Sequence, residues 1–192
     1  MESLTPILTK EAQKANFTNE GGVNKRFRFL KNYMGMWLLQ SIRRDLNKKY
    51  TYDEMMEMAE KSKGEVTYID VNSSLLTSPV SMIEAVRECA KKPDMPLDEV
   101  INCVYHSLAK SYADAIKEIE ALTNKKIQGI SIVGGGGSDL YLNRLASQYA
   151  KVPVFVGAKE ATAVGNMTVQ IMADDDSVTL EKAREIILNT FS

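Results

Sequence analysis

KIQGISIVGGGGSDLYLNRLA, Lys126 to Ala146, joins a β-prone segment to a helical one through a run of glycines, and the rest of the chain is organised around it. Its first part, Lys126 to Val133, is β-rich and runs into four consecutive glycines, Gly134 to Gly137. Ser138 and Asp139 then open a helical pattern carried by Leu140, Leu142, Leu145 and Ala146. The implied order is strand, glycine turn, helix. Glycines at such a junction permit positive φ and let a ligand approach with no Cβ in the way. The free N–H groups and dipole of the following helix favour an anionic or polar ligand. Neither common phosphate motif fits: a P-loop needs Gly-Lys-Ser/Thr where Gly137-Ser138-Asp139 stands, and the dinucleotide fingerprint needs a glycine at Asp139. The loop reads either as a nucleotide shelf or as a tight turn with no ligand, and the glycines alone leave both open.

C-terminal to this stretch, Val152 to Val156 is strand-like and Gly157 ends it. Lys159 to Asn166 then opens a helix of small residues that continues as MTVQIMAD. Ala161, Ala163 and Gly165 permit a close backbone contact, by default with a packing neighbour. A last helix, Thr179 to Asn189, follows the acidic loop Asp174 to Asp176, which is expected to cap it.

N-terminal to the stretch, Leu97 to about Leu122 carries one apolar stripe, Val100, Ile101, Val104, Leu108, Tyr112, Ala115, Ile116 and Ile119, and reads as the longest helix. Its start follows a loop bracketed by Pro93 and Pro96. Before that loop, Ser78 and Pro79 read as the cap and first turn of the helix SMIEAVRECA, and Val66 to Val71 reads as a short strand. Thr51 to Lys63 reads as a short helix whose methionines fill core. Lys31 to Tyr50 reads as a helix with Met34, Trp37, Leu38, Ile42 and Leu46 on one face, and Asn32 as its N-cap. On that reading Gln40 lies about 12 Å further along the axis and about 80° around it. Asn16 to Val23 and Lys25 to Leu30 alternate as a β-hairpin or paired strands. The opening, Glu2 to Ala15, has a helix-like patch but no domain start, as though the chain were cut from a larger protein. The class is α/β with a mixed sheet flanked by helices, all 192 residues forming one domain.

Charge is balanced, with 24 basic and 25 acidic residues giving a net of -1. That removes the electrostatic case for a nucleic acid or a membrane surface. No apolar run reaches the ~18 residues of a membrane span, and the first residues lack signal-peptide regions. A soluble, cytoplasmic protein is expected. Cys89 and Cys103 lack zinc-ligand spacing; they sit near facing helix ends where a bridge is geometrically allowed, and reduced thiols are expected. Asp70, at a strand end, suits capping more than catalysis. His106, the only histidine, falls off the apolar stripe and has no Ser or Cys nucleophile arrangement around it.

Three blocks together carry a resemblance that none carries alone: ANFTNEGGV (Ala15 to Val23), RFLKNYMGMWLLQ (Arg28 to Gln40), and IVGGGGSDLYLNRLA with VPVFVGAKEATAVGN (Ile132 to Asn166). They resemble the C-terminal domain of the rhamnulokinase branch of the FGGY sugar kinases. The resemblance implies an actin-like, ribonuclease H-like ATPase fold, incomplete at its N-terminus, and an ATP-dependent kinase using magnesium. It implies that Asn32 contacts the sugar, that Gln40 contacts ATP, and that Gly135, flanked by Gly134 and Gly136, lies against the adenosine. Gly137 bears on the fine shape of that pocket. It further implies that the catalytic aspartate, the phosphate loop and most magnesium ligands lie upstream, in a missing N-terminal half, so the chain alone is expected to be inactive. The sugar is expected to be L-rhamnulose or a related ketose such as L-fuculose. A homodimer through surfaces left by the missing half is possible on this reading. The competing function is a non-catalytic actin-like binding or assembly domain in which the glycine loop is only a turn.

Overall fold

The computed structural model describes residues 1–191, with the Phe191 side chain outside the description. A long helix is its axis. Helix α5, Leu97–Thr123, has 27 residues, about 40 Å at 1.5 Å per residue. Pro96 stands at its N-cap, Asp98 and Glu99 occupy its first turn, and Asn124 ends it in the left-handed region at φ 53°. An acidic first turn and a left-handed Asn stop match the dipole and the low cost of αL for Asn.

The other helices of the main core pack on α5. They are α2 (Trp37–Asp45), α3 (Tyr52–Glu60), α4 (Met82–Ala90) and α6 (Leu140–Ala150). Leu38, Leu39 and Ile42 from α2, Met55 and Ala59 from α3, Met82 and Val86 from α4, and Leu142 and Leu145 from α6 close around Val100, Ile101, Val104, Tyr105 and Leu108. Helix α3 opens on a full capping box, Thr51 and Glu54 each satisfying the other's backbone N–H.

A smaller core holds the N-terminus. Strands β1 (Glu2–Ser3), β2 (Thr18–Gly21) and β3 (Phe27–Leu30) form an antiparallel sheet in the order β1-β3-β2, and helix α1 (Lys10–Lys14) lies between β1 and β2 in sequence. Phe29 is fully buried and stacks on Phe17 with ring centroids 4.6 Å apart. Ala12, Ile119 and Leu122 complete this cluster, tying the hairpin to the far end of α5.

Strands β4 (Ile130–Ile132) and β5 (Val154–Val156) pair in parallel on either side of α6 in sequence. Parallel and antiparallel pairing therefore occur in two separate small sheets. Helices α7 (Ala161–Asp174) and α8 (Leu180–Phe191) end the chain. α7 has no buried residue, and Met167, Ile171, Ile186 and Leu188 on the two helices are exposed.

Several local readings are corrected. Lys31 to Met36 is not helical: α2 begins at Trp37, its N-cap position is Met36, and Asn32 is an exposed residue of extended chain. Lys31 and Tyr33 on this segment both donate to Glu118 Oε2 on α5 at 2.8 Å, contacts that tie the segment to α5. The helical spacing from Asn32 to Gln40 therefore does not apply. Val66 to Val71 is not a strand. It has no neighbouring strand; instead the Ile69 N–H donates to Ser107 Oγ at 3.0 Å and Val71 is buried. The cap of α4 is Ser81, not Ser78: its Oγ accepts from the Glu84 N–H and donates to Asp45 Oδ2 at 3.0 Å. The last helix is capped by Thr179, which accepts from the Lys182 N–H, while Asp175 turns onto Ser177. Cys89 and Cys103 are both free thiols.

Candidate functional site

The glycine stretch leaves β4 and tightens into a 3-10 turn, Gly135–Ser138, before α6. Its four glycines have separable reasons. Gly134 has φ 76° and ψ -161°, a region essentially closed to side-chain-bearing residues. A Cβ on Gly137 would lie 2.8 Å from Val156 Cγ1, so the packing of β5 requires a glycine there. Gly136 would meet only Ile132 Cγ2, at 3.8 Å. Gly135 needs neither freedom nor room: its φ is not positive, and a Cβ on it would meet nothing within 4 Å.

Asp139 fixes the helical side of the turn. Its Oδ1 accepts from the Leu142 N–H at 2.9 Å as the N-cap of α6, and its Oδ2 accepts from the Tyr105 hydroxyl at 2.7 Å. Burial, with the Asp139 charge beside it, pushes the Tyr105 phenol far above its usual range, so this hydroxyl remains a proton donor. Asn143, one turn further, is buried and donates to the Gly137 carbonyl at 2.9 Å. The loop is thus clamped to α5 and α6 by side chains of both.

Above the loop opens a cleft of about 440 Å³, lined by Met36, Gln40, Tyr52, Asp53, Met56, Gly135, Gly136, Ser138 and Asp139. Its walls come from the start and first turn of α2, from α3 and from the glycine turn. Gly135 and Gly136 contribute backbone without side chains to the lining, and Met36, Met56 and Tyr52 contribute apolar surface. There is no lysine or arginine in the lining, and the carboxylates of Asp53 and Asp139 make it acidic. Such a lining repels bare phosphate and suits a flat, neutral, hydrogen-bonding group.

Of the residues singled out from sequence, Gln40, Gly135 and Gly136 line this cleft together, while Gly134, the residue ahead of the 3-10 turn, is outside the lining. Asn32 lies outside the lining. Met36, Tyr52, Asp53, Met56, Ser138 and Asp139 were not foreseen as walls. The MM pair in α3 divides: Met55 is core and Met56 is cleft, one residue around the helix. His106 lies on another face, between Tyr149 Oη at 2.8 Å and Tyr141 Oη at 3.3 Å, and burial lowers its pKa. Asp70 accepts from the Asn72 N–H two residues on, a local turn. Burial pushes the Cys103 thiol up to about 11, which leaves it inert as a nucleophile.

A second hollow of about 430 Å³ lies between Lys31, Tyr33, Asp70 and the 107–118 segment of α5. Four of its charged groups hold one another, Lys31 with Glu118 and Lys110 with Asp114, and Asp70 accepts from the Asn72 N–H. That leaves little for a ligand to satisfy.

Residues 1–173 match the FGGY family of carbohydrate kinases, C-terminal domain. The chain is 37% identical, over its full length, to a rhamnulokinase of Halalkalibacterium halodurans, covering 42% of that protein. It is 35% identical to a rhamnulokinase of Bacillus subtilis and 37% identical to one of Oceanobacillus iheyensis, again over its full length and covering 40% and 41% of them. It therefore spans about two fifths of the length of the curated relatives it matches. With nine-tenths of its residues inside the family match and a helix-flanked α/β build, the chain belongs to the FGGY family of carbohydrate kinases as its C-terminal domain, of the actin-like, ribonuclease H-like ATPase fold.

Proposed function

We propose that residues 1–192 are the ATP-binding half of a carbohydrate kinase that transfers the ATP γ-phosphate to the 1-hydroxyl of L-rhamnulose. The observation that carries this reading is Gly135. Nothing among the described residues requires a glycine there, yet it lines the Gln40 cleft, and a planar base lying on the loop is what its missing side chain makes room for. The purine lies against Gly135 and Gly136, between them and Met36, Met56 and Tyr52, with the Gln40 amide within the same walls. Asn32, on extended chain ahead of α2, reaches the sugar from this half.

Phosphoryl transfer needs mostly positioning and charge stabilisation. The rest of the longer protein supplies what this chain does not: the groups around the terminal phosphates and the carboxylate that takes the proton from the sugar hydroxyl. No group of three or more metal-capable side chains occurs among the described residues. The residues here do not form a magnesium cage, and we assign that ion to the phosphates and to ligands outside this chain. The exposed apolar side chains of α7 and α8 are the surface the remainder of the protein covers, with a second copy of the chain as the occupant when it is absent. No helix among the described residues is long and apolar enough to cross a membrane, and we place the enzyme in the cytoplasm.

The test is a coupled ADP-release assay. The full-length protein should turn over with L-rhamnulose and ATP, Gly135→Val should raise the KM for ATP more than the KM for the sugar, and the 192-residue chain alone should show no turnover. Turnover by the isolated chain, or a Gly135→Val effect confined to the sugar, would defeat the assignment. L-Fuculose in the same assay decides the sugar.

A further inference from the structure

The Gln40 cleft has a neighbour. A crevice of about 200 Å³ is lined by Trp37, Gln40, Arg43, Arg44, Lys48 and Tyr52, so it shares the Gln40 and Tyr52 walls with the glycine cleft. The two differ in charge: the glycine cleft has two carboxylates and no cation, the crevice three cations and no carboxylate. The cations are not balanced elsewhere either. Of the seven arginines, Arg26, Arg28, Arg87, Arg144 and Arg184 each hold a glutamate. Arg43 and Arg44 have no carboxylate partner among the described residues, and both line this crevice.

Their forks are held in place by neutral groups. Arg43 Nε donates to the Tyr50 carbonyl at 2.7 Å and its guanidinium lies over the Tyr52 ring, 4.9 Å from the centroid. Arg44 Nη2 donates to Ser41 Oγ at 2.9 Å and its guanidinium lies over the Trp37 ring at 5.7 Å. Each guanidinium has five N–H donors, so most remain free. The dipole of α2 accounts for basic residues in its last turn. It does not account for two arginines without carboxylates, stacked on aromatic faces around one opening.

We propose that Arg43, Arg44 and Lys48 form an anion site for a phosphate group, beside the base cleft, with Gln40 and Tyr52 lining both. Arginine forks fit the tetrahedral oxygens of phosphate, and Lys48 adds a mobile point charge. The phosphate has two possible sources, the tail of a nucleotide whose base occupies the adjoining cleft, or a separate phosphate or phosphate ester. The proposal takes its place beside the nucleotide reading above but does not require it.

Trp37, the only tryptophan, reports on the crevice. Its fluorescence is followed while sodium phosphate, ADP and adenosine are each titrated into the 192-residue chain at constant ionic strength, with sodium chloride as the control. A saturable response to phosphate or ADP that chloride does not produce is expected. Arg44→Gln or Lys48→Gln should weaken it about tenfold with circular dichroism unchanged, and Arg44→Lys should recover part of it. If ADP binds at least tenfold tighter than adenosine and Arg44→Gln removes that gain, the nucleotide's own tail fills the site. If free phosphate saturates and leaves adenosine affinity unchanged, a separate anion fills it. Phosphate binding without adenosine binding sinks the nucleotide reading and keeps the anion site. Adenosine binding that neither added phosphate nor Arg44→Gln alters, with phosphate behaving as chloride, overturns the anion site and keeps the nucleotide reading.

Discussion

Replacing Gly135 with valine adds a Cβ and two methyl groups to the floor of the glycine cleft. The cost to the fold can be worked out from the neighbourhood. The backbone at Gly135 has no positive φ and a Cβ there meets nothing within 4 Å. The folded state therefore loses nothing, and the unfolded chain loses conformational freedom, so Gly135→Ala should leave stability unchanged or raise it by up to about 1 kcal/mol. The neighbours behave otherwise. Gly134→Ala forces a side-chain residue to φ 76°, at about 1–3 kcal/mol. Gly137→Ala drives a Cβ to 2.8 Å from Val156 Cγ1, at about 1–3 kcal/mol of overpacking. For a base lying on the loop the order reverses. The valine methyls occupy the space of the ring, and overpacking of about 1–3 kcal/mol means an affinity loss between about fivefold and about 150-fold. Urea denaturation gives the stability arm, and adenosine titration by calorimetry or thermal shift gives the binding arm. A Gly135→Val protein that binds adenosine as well as the parent, or a Gly135→Ala protein destabilised as much as Gly134→Ala, refutes the reasoning.

Three further outcomes follow from the surrounding structure. Tyr105→Phe removes the hydroxyl held by Asp139 Oδ2 at 2.7 Å and strands a half-buried carboxylate oxygen; it should lower stability by about 1–3 kcal/mol in urea, and an unchanged midpoint would mean that the clamp is idle. His106 has its pKa lowered by burial, so below the ordinary histidine pKa the unfolded chain binds a proton that the folded chain resists. Stability should be fully present above about pH 6.5 and fall as pH drops through the lower folded value, and His106→Gln should remove that part of the fall; a slope identical in the variant would assign it elsewhere. Thiol titration of the native chain at pH 8 should find Cys103 unreactive, because it is buried with its pKa near 11, and reactive only in denaturant; rapid labelling at Cys103 under native conditions would contradict its placement.

Much of this molecule was legible because its signals are local. The apolar stripe of α5, the strand-turn-helix order around Gly134 to Gly137 and the alternation of Phe27 and Phe29 each follow from backbone period and turn chemistry. Errors arose where a distant partner set the backbone. Lys31 to Met36 reads as part of the following helix, but it is not helical and is tied through Lys31 to Glu118, 87 residues away. Val66 to Val71 alternates like a strand and docks on α5 through Ser107 instead. The α3 wall of the cleft followed the same rule. Gln40 and Gly135 were found through the family resemblance, whereas Tyr52, Asp53 and Met56 become walls only because α3 packs beside the glycine turn on α5. Two adjacent methionines, one buried and one facing the cleft, give a linear sequence no sign of which is which.

A nucleotide base resting on the Gly135 turn, within the walls given by Gln40, Tyr52 and Met56, is the binding mode proposed above. Amide chemical-shift mapping of the isotope-labelled chain with adenosine tests it most directly. The predicted result is saturable shifts concentrated at Gly134 to Asp139, Gln40 and Tyr52 to Met56, with little change between Ser107 and Glu118. Shifts centred on that α5 segment and Asp70 instead, with the glycine turn undisturbed at saturation, would contradict it.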